Sequence, residues 1–122
     1  MSRNEQIQYI LQGLVGRSQD VEGALLVTLD GLPLASALPQ GADEDRVAAM
    51  SAAALSMGSR AVNELRRGSL EQVLVKGDAG YVVMIQAGAD TVLSAISSAD
   101  AKLGMILYEM KLAAKDLARE LG

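Results

Sequence analysis

The chain has 122 residues, half of them hydrophobic, with a formal net charge of −4 and a sequence pI near 4.7. A chain of this length is expected to form one domain, burying roughly two-thirds of its unfolded surface around a single core. The acidic balance argues against a nucleic-acid partner and against an anionic membrane surface, since both attract basic proteins.

The residue types that are missing exclude several kinds of catalytic and metal site. There is no Cys and no His, which removes disulfides, thiolate nucleophiles, imidazole acid-base groups and the usual zinc sets. Only three aromatic residues occur, all Tyr, so the core must be aliphatic. The polar start over residues 1–6 does not resemble a secretory signal, and no apolar run is long enough to span a bilayer. We therefore expect a cytoplasmic protein without membrane insertion, metal, cofactor or enzymatic activity.

The first part of the chain predicts a helix followed by a hairpin. Apolar residues recur at helical spacing over residues 3–17. A nearly unbroken apolar run then predicts a strand over 22–29, covered on both faces in the middle of a sheet. The dipeptide Asp30-Gly31 tolerates positive φ and predicts a tight turn into a second strand over 32–38. Pro33 lacks a backbone donor, so we expect this second strand at a sheet edge or a bulge.

Residues 44–67 predict a long helix capped by Asp43, and two different sides of it are candidates for burial. At about 100° per residue, the stripe of larger apolar residues expected to face the core is Val47, Met50, Ala54, Met57, Gly58, Ala61 and Leu65. The opposite side carries short side chains in its middle, namely Ala48, Ala49, Ala52, Ala53, Ser56 and Ser59. Because short side chains let another backbone approach closely, we interpret this side as a docking surface with a charged rim. A helix rich in Ala for propensity alone is the alternative.

The remaining chain predicts a three-stranded meander and a final helix. The strands are predicted over residues 71–76, 81–87 and 91–97. Turn residues separate them, and Ser98 or Asp100 would cap a helix over residues 101–121. The most economical way to bury three amphipathic helices is an α+β fold, with a five-stranded antiparallel sheet and helices on both faces.

Several segments in this order resemble the roadblock family, which includes dynein light chains and bacterial regulators of Ras-like GTPases. They are residues 23–36 (GALLVTLDGLPLAS), the alanine-rich helix, residues 71–75 (EQVLV) and residues 102–110 (KLGMILYEM). The resemblance implies a roadblock, profilin-like fold with sheet order 2-1-5-4-3. In that family two copies usually join their third strands and pack their second helices together. The resulting homodimer forms a platform for a small GTPase or a larger scaffold.

The resemblance and the residue pattern together indicate two sets of interaction residues. The expected dimer interface comprises Ala49, Ala52, Ala53, Ser56, Arg60, Glu71, Val73 and Val75. The expected partner-binding residues are Arg46, Asn63, Glu64 and Arg67. The third strand is ambiguous, because Glu71, Gln72 and Lys76 are equally typical of an edge protected from pairing.

Residues that could carry chemistry have simpler explanations. The acidic run at 43–45 lies at a helix start, where the peptide dipoles favour it. Neither glycine-bearing stretch, 13–16 or 77–80, has the sequence of a phosphate-binding loop. The arginines at 60, 66 and 67 admit two interpretations: a finger supplied to a bound GTPase, or solvated charges near a helix C-terminus.

These observations lead to one preferred function and two alternatives. The preferred function is a non-catalytic homodimer that binds and regulates a Ras-like small GTPase. The first alternative is a structural adaptor subunit of a larger complex, without effect on nucleotide hydrolysis. The second is a sensor of an apolar small ligand, which the lack of aromatic residues for a pocket disfavours.

Overall fold

The computed structural model describes all residues, 1–122, and contains three helices and five strands. In chain order these are α1 (Arg3–Arg17), β1 (Val21–Thr28), β2 (Pro33–Ala37), α2 (Glu44–Glu64), β3 (Val73–Gly77), β4 (Gly80–Gln86), β5 (Thr91–Ser98) and α3 (Leu103–Leu121). The predicted α+β class is confirmed.

All strands form one antiparallel sheet in the order β2-β1-β5-β4-β3, which confirms the order implied by the resemblance. The apolar strand β1 lies inside the sheet between β2 and β5, as its pattern predicted. β2 is an edge strand, as Pro33 predicted. The β1–β2 register shifts between Leu26 and Val27, and the shift brings Val27 opposite Pro33.

Helices cover the two faces of the sheet unequally. Helices α1 and α3 pack on one face over the larger core, whose fully buried large side chains include Leu11, Leu14, Leu26, Leu93, Ile106, Met110 and Leu117. On the other face α2 packs alone over a smaller core made by Leu25, Val27, Ala48, Leu55, Met84 and Val92. One helix is about 10 Å wide and neighbouring strands are about 4.8 Å apart, so α2 leaves part of its face uncovered.

The helix starts show which sequence signals hold locally. Ser2 and Glu5 form a reciprocal capping box on α1, and the Asp43 side chain accepts a hydrogen bond from the Arg46 N–H (3.2 Å) at the start of α2. The expected cap of the last helix is wrong. Ser98 ends β5 and accepts a turn hydrogen bond from the Ala101 N–H, so α3 begins only after Lys102.

The connection from α2 to β3 is longer than the sequence predicts. The helix ends at Glu64, three residues before the predicted end, because Arg66 and Gly68 adopt positive φ values of 55° and 92° and turn the chain away. Strand β3 begins at Val73, two residues later than predicted. Glu71 therefore lies outside the strand.

No helix combines the length and the apolar character required to cross a membrane.

Candidate interaction surface around helix α2

Helix α2 buries a different side from the one its largest residues predict. The residues buried against the sheet are Ala48, Ser51, Ala52 and Leu55. The largest members of the predicted core stripe are exposed instead, Met50 by 58%, Met57 by 67% and Leu65 by 67%. The helix is thus rotated by about a third of a turn from the predicted orientation.

The β1–β2 turn packs against this buried side of α2. Gly31, in the β1–β2 turn with φ +91°, lies so near α2 that a Cβ on it would be 3.4 Å from the Ala49 Cα and 3.7 Å from the Ala52 Cβ. Short side chains on α2 do admit a neighbouring backbone, but that backbone is the chain's own turn. Ala52, which the sequence assigns to the dimer interface, is only 7% exposed in the single chain and lies beneath this turn.

The outward side of α2 nevertheless carries an apolar surface. Met50, Ala53 and Met57 follow one another at helical spacing on this side, and we call them the methionine stripe. All three are exposed, as are Ala49 and Ser56 beside them. Sequence reasoning missed the two Met residues as surface residues. The available signal was that two sides of one helix were apolar, whereas only one could face the sheet.

An apolar groove adjoins the methionine stripe on the flank of α2 nearer to β3. Its volume is about 300 Å³. It is lined by Val47, Met50, Ser51 and Ala54 of α2 and by Val75, Val82, Met84 and Ile96 of the sheet. The groove lies on the part of the sheet that α2 leaves uncovered, and it extends the apolar surface from the helix to β3.

Strand β3 is the less protected of the two sheet edges. The other edge, β2, begins with Pro33, and its Ser36 carbonyl accepts a hydrogen bond from Gln8 Nε2 at 2.7 Å. In β3, Leu74 and Val75 are 41% and 50% exposed, and Lys76 is the single charged residue. The Lys76 ammonium lies 5.9 Å from the centre of the Tyr81 ring, on the neighbouring strand. The edge is therefore mainly apolar.

A second cleft, of about 490 Å³, opens on the opposite flank of α2, and we call it the polar cleft. Ser56 and Arg60, which the sequence assigns to the dimer interface, line it together with Asn63, which the sequence assigns to partner binding. The remaining lining residues are Leu29, Ala52, Leu55, Ser59, Ser69, Leu70 and Gln86. The structure thus groups these three predicted residues around a depression on the flank of α2 away from the apolar groove, with Ser56 and Arg60 at the border of the methionine stripe.

The other expected partner-binding residues lie far apart along α2. Arg46, in its first turn, is 4.0 Å from the Asp43 carboxylate in an exposed pair. Glu64 ends the helix, about 27 Å away at the helical rise of about 1.5 Å per residue. Arg67 lies beyond the helix, where its Nε donates to the Leu65 carbonyl at 3.1 Å. No group of three or more carboxylates is arranged to hold a metal ion.

Comparison with known proteins decides the family. The model of the Roadblock/LC7 domain matches residues 7–97 of the chain. The chain belongs to the Roadblock/LC7 family. This confirms the resemblance found in the sequence.

Relatives of this Roadblock/LC7 chain include an archaeal protein and bacterial domains of known structure. An uncharacterised protein of Methanocaldococcus jannaschii is 34% identical over 103 residues, which cover 84% of this chain and 90% of the relative. A Roadblock/LC7 domain from Streptomyces avermitilis superimposes with a TM-score of 0.88 at 26% identity, over 93% of this chain and 96% of that domain. MglB of Myxococcus xanthus superimposes with a TM-score of 0.88 at 18% identity, over 98% of this chain and 90% of MglB, which shows a shared fold.

Proposed function

We propose that this Roadblock/LC7 chain is a non-catalytic, homodimeric interaction module of the cytoplasm that binds a Ras-like small GTPase and regulates it. The observation that carries the proposal is the continuous apolar surface formed by the methionine stripe, the apolar groove and the exposed edge of β3. A surface of this kind on a small protein marks a site of association.

A second copy of the chain matches this surface on two counts. An unpaired strand edge presents backbone donors and acceptors that a second β3, running antiparallel across a two-fold axis, would satisfy. Pairing the two edges would bring the two α2 helices together on the same face of the extended sheet. Their exposed Met50 and Met57 side chains, which are unbranched and adaptable, would then be buried against each other and in the grooves.

The interface proposed here differs from the one that the sequence alone indicated. It keeps Ala49, Ala53 and Val75, which are exposed, and adds Met50, Met57 and Leu74. Val73 is half-buried and packs against α2 at Gly58, so it contributes to the packing of β3 on the helix rather than to the outer surface. Glu71 would lie at the polar rim, since it is exposed and precedes the strand.

The GTPase is proposed as partner from the family rather than from a site. Roadblock/LC7 proteins are interaction domains, and the resemblance found in the sequence extends to bacterial regulators of Ras-like GTPases. The surface that two joined copies would present is flanked by charged residues near both ends of each α2, among them Arg46 and Glu64. Charges at the edge of an apolar patch favour specific, reversible recognition of a protein partner.

The experiment that tests this function has two steps. Light scattering at low micromolar concentration should give the mass of two chains. Each Ras-like GTPase of the same genome, loaded with GDP or with a non-hydrolysable GTP analogue, should then be tested for binding to the immobilised dimer. A monomeric mass would contradict the dimer, and failure of every GTPase in both nucleotide states would contradict the partner.

The same GTPase separates regulation from scaffolding. Its rate of GTP hydrolysis, measured with and without a saturating amount of this protein, should change if the protein is a regulator. Binding without any change in hydrolysis would instead support a structural adaptor.

A further inference from the structure

The polar cleft has the composition of a ligand site, and neither the family nor the dimer accounts for it. One guanidinium, three hydroxyl groups and two carboxamides line it, together with three Leu side chains. No carboxylate is among the lining residues, although the chain contains 15 acidic residues. Its volume of about 490 Å³ lies within the range of small-molecule pockets, which is roughly 300–1,000 Å³.

The polar groups of the cleft are largely unused by the protein itself. Arg60 forms no ion pair, since the two pairs in the structure join Arg46 to Asp43 and Arg119 to Asp116. The side chains of Ser56, Ser59, Asn63 and Ser69 make no hydrogen bond within the chain. The Gln86 amide nitrogen donates to the Ala89 carbonyl at 2.8 Å, which leaves its carbonyl oxygen free. The donors in the cleft are thus available to a ligand.

The cleft also has an apolar part, formed by three leucine side chains. Leu29 follows directly after β1, and it is half-exposed even though it ends the most apolar run of the chain. Leu55 lies on the buried side of α2, and Leu70 lies in the connection from α2 to β3. Three aliphatic side chains therefore line a cleft whose polar groups come mainly from the last turns of α2. A ligand that satisfies both parts needs an anionic end and an aliphatic body.

We propose that the polar cleft binds a small aliphatic monocarboxylate, with its carboxylate on Arg60 and its hydrocarbon part against the leucines. A guanidinium presents two parallel N–H donors that match the two oxygens of one carboxylate. A single uncompensated positive charge suits a monoanion better than a phosphate ester, which carries nearly two negative charges. The Ser hydroxyl groups and the Asn63 amide supply further donors for the carboxylate oxygens.

The test is an NMR titration of the 122-residue chain with the straight-chain acids from acetate to hexanoate. The side-chain amide signals of Asn63 and Gln86 and the backbone signals of Ser56, Ser59 and Arg60 should shift and saturate. Each added methylene buried against the leucines should tighten binding about fourfold. The primary amide of hexanoic acid, which has the same length and no charge, should bind about tenfold more weakly.

Two variants locate the site. Arg60→Gln should weaken hexanoate binding about tenfold or more, since it removes the charge and keeps much of the side-chain volume. Arg17→Gln, which removes an exposed arginine on the opposite face of the sheet, should leave binding unchanged. Shifts that do not saturate, that lie outside the cleft, or that persist in Arg60→Gln would overturn the proposal. The proposed function does not depend on this result, because the mass of Arg60→Gln in light scattering reports dimer formation separately.

Discussion

Gly58 of α2 and Val73 of β3 are so close that a Cβ on Gly58 would lie 2.9 Å from the Val73 Cγ2. The contact joins the helix that carries the methionine stripe to the strand that provides the free edge. The glycine is therefore explained by packing, although glycine weakens the interior of a helix. The two parts of the proposed dimer surface are held in one arrangement by the absence of a single side chain.

Gly58→Ala is expected to destabilise the protein. The methyl group gains about 1 kcal/mol of helix propensity. It must also displace the stiff, β-branched Val73, and such overpacking costs about 1–3 kcal/mol. Urea unfolding should show a lower free energy of unfolding for Gly58→Ala. The double variant Gly58→Ala/Val73→Ala should lose less stability than the sum of the losses in the two single variants, because Val73→Ala removes the clash.

Gly13→Ala is the matched control for that experiment. Gly13 also lies in a helix interior, but a Cβ built on it meets no atom within 4 Å. Only the propensity gain applies there, so stability should rise by about 0.5–1 kcal/mol. Equal responses of Gly13→Ala and Gly58→Ala would show that the Val73 contact does not govern stability.

Ala53→Arg is expected to give a folded monomer. Ala53 lies between Met50 and Met57 on the exposed side of α2, so an arginine there leaves the isolated chain undisturbed. In the proposed dimer it would bury an unpaired charge in each copy, at a cost of about 3–5 kcal/mol per charge. Ala49→Glu should act in the same direction. Circular dichroism would show whether each variant keeps its secondary structure, and sedimentation velocity would show whether it is a monomer or a dimer.

Gln12→Arg adds the same charge to an exposed position of α1, on the other face of the sheet. It should remain a dimer at the concentrations where Ala53→Arg dissociates. Dimers in both Ala53→Arg and Ala49→Glu would show that the methionine stripe is not the interface.

Ser94→Ala is expected to leave stability unchanged or to raise it by up to about 1 kcal/mol. Ser94 lies in β5 between Leu25 and Met84, is 2% exposed, and its Oγ has no hydrogen-bond partner. Removing an unpaired buried hydroxyl group therefore removes a desolvation penalty. Ser97→Ala on the same strand is the comparison, because Ser97 Oγ donates to the Ser98 carbonyl at 3.3 Å. Thermal unfolding should rank Ser94→Ala above Ser97→Ala.

The capping box of α1 predicts a measurable titration. The backbone N–H of Ser2, and to a lesser degree its side chain, holds the pKa of Glu5 below its ordinary value of 4.5. In Ser2→Ala the Glu5 pKa should rise but stay depressed, because the backbone donor remains. NMR titration of the Glu5 carboxyl carbon would measure both values. A pKa that does not move on Ser2→Ala would contradict a role for the Ser2 side chain.

The sign of the linked stability follows from that depressed pKa. Protonation is harder in the folded state, so the contribution of Glu5 to stability is present above the unfolded pKa. It is lost as the pH falls through the folded value. The stabilisation of α1 by the capping box should therefore be lost only under acidic conditions. Amide hydrogen exchange near Ser2 and Glu5 would detect this loosening.

Much of the architecture was predictable because its signals are local. The apolar run of β1 indicated a strand covered on both faces, and Pro33 indicated an edge strand. Asp43 indicated the start of α2. The cap of α3 was wrong, since Ser98 and Asp100 carry equally good capping side chains while β5 and its following turn use both positions.

The candidate site was less predictable, and α2 shows why. Its sequence offers two apolar sides, one with Met50 and Met57 and one with Ala48 and Ala52. Side-chain size favours burying the methionines, because larger apolar groups gain more from leaving water. The structure buries Ala48 and Ala52 instead, on the side of the helix against which the β1–β2 turn packs at Gly31.

The sequence by itself determined the element order and the fold class, since periodicity, turn chemistry and capping act over a few residues at a time. The family followed from the sequence too, through the resemblance of its ordered segments and the match to the Roadblock/LC7 domain. Only the tertiary structure decided which side of α2 faces outward, that β3 is the less protected edge, and that Arg60, Ser56 and Asn63 share a cleft with Gln86. Those properties depend on close contacts between segments far apart in the chain. The spacing of residues along a helix does not encode them.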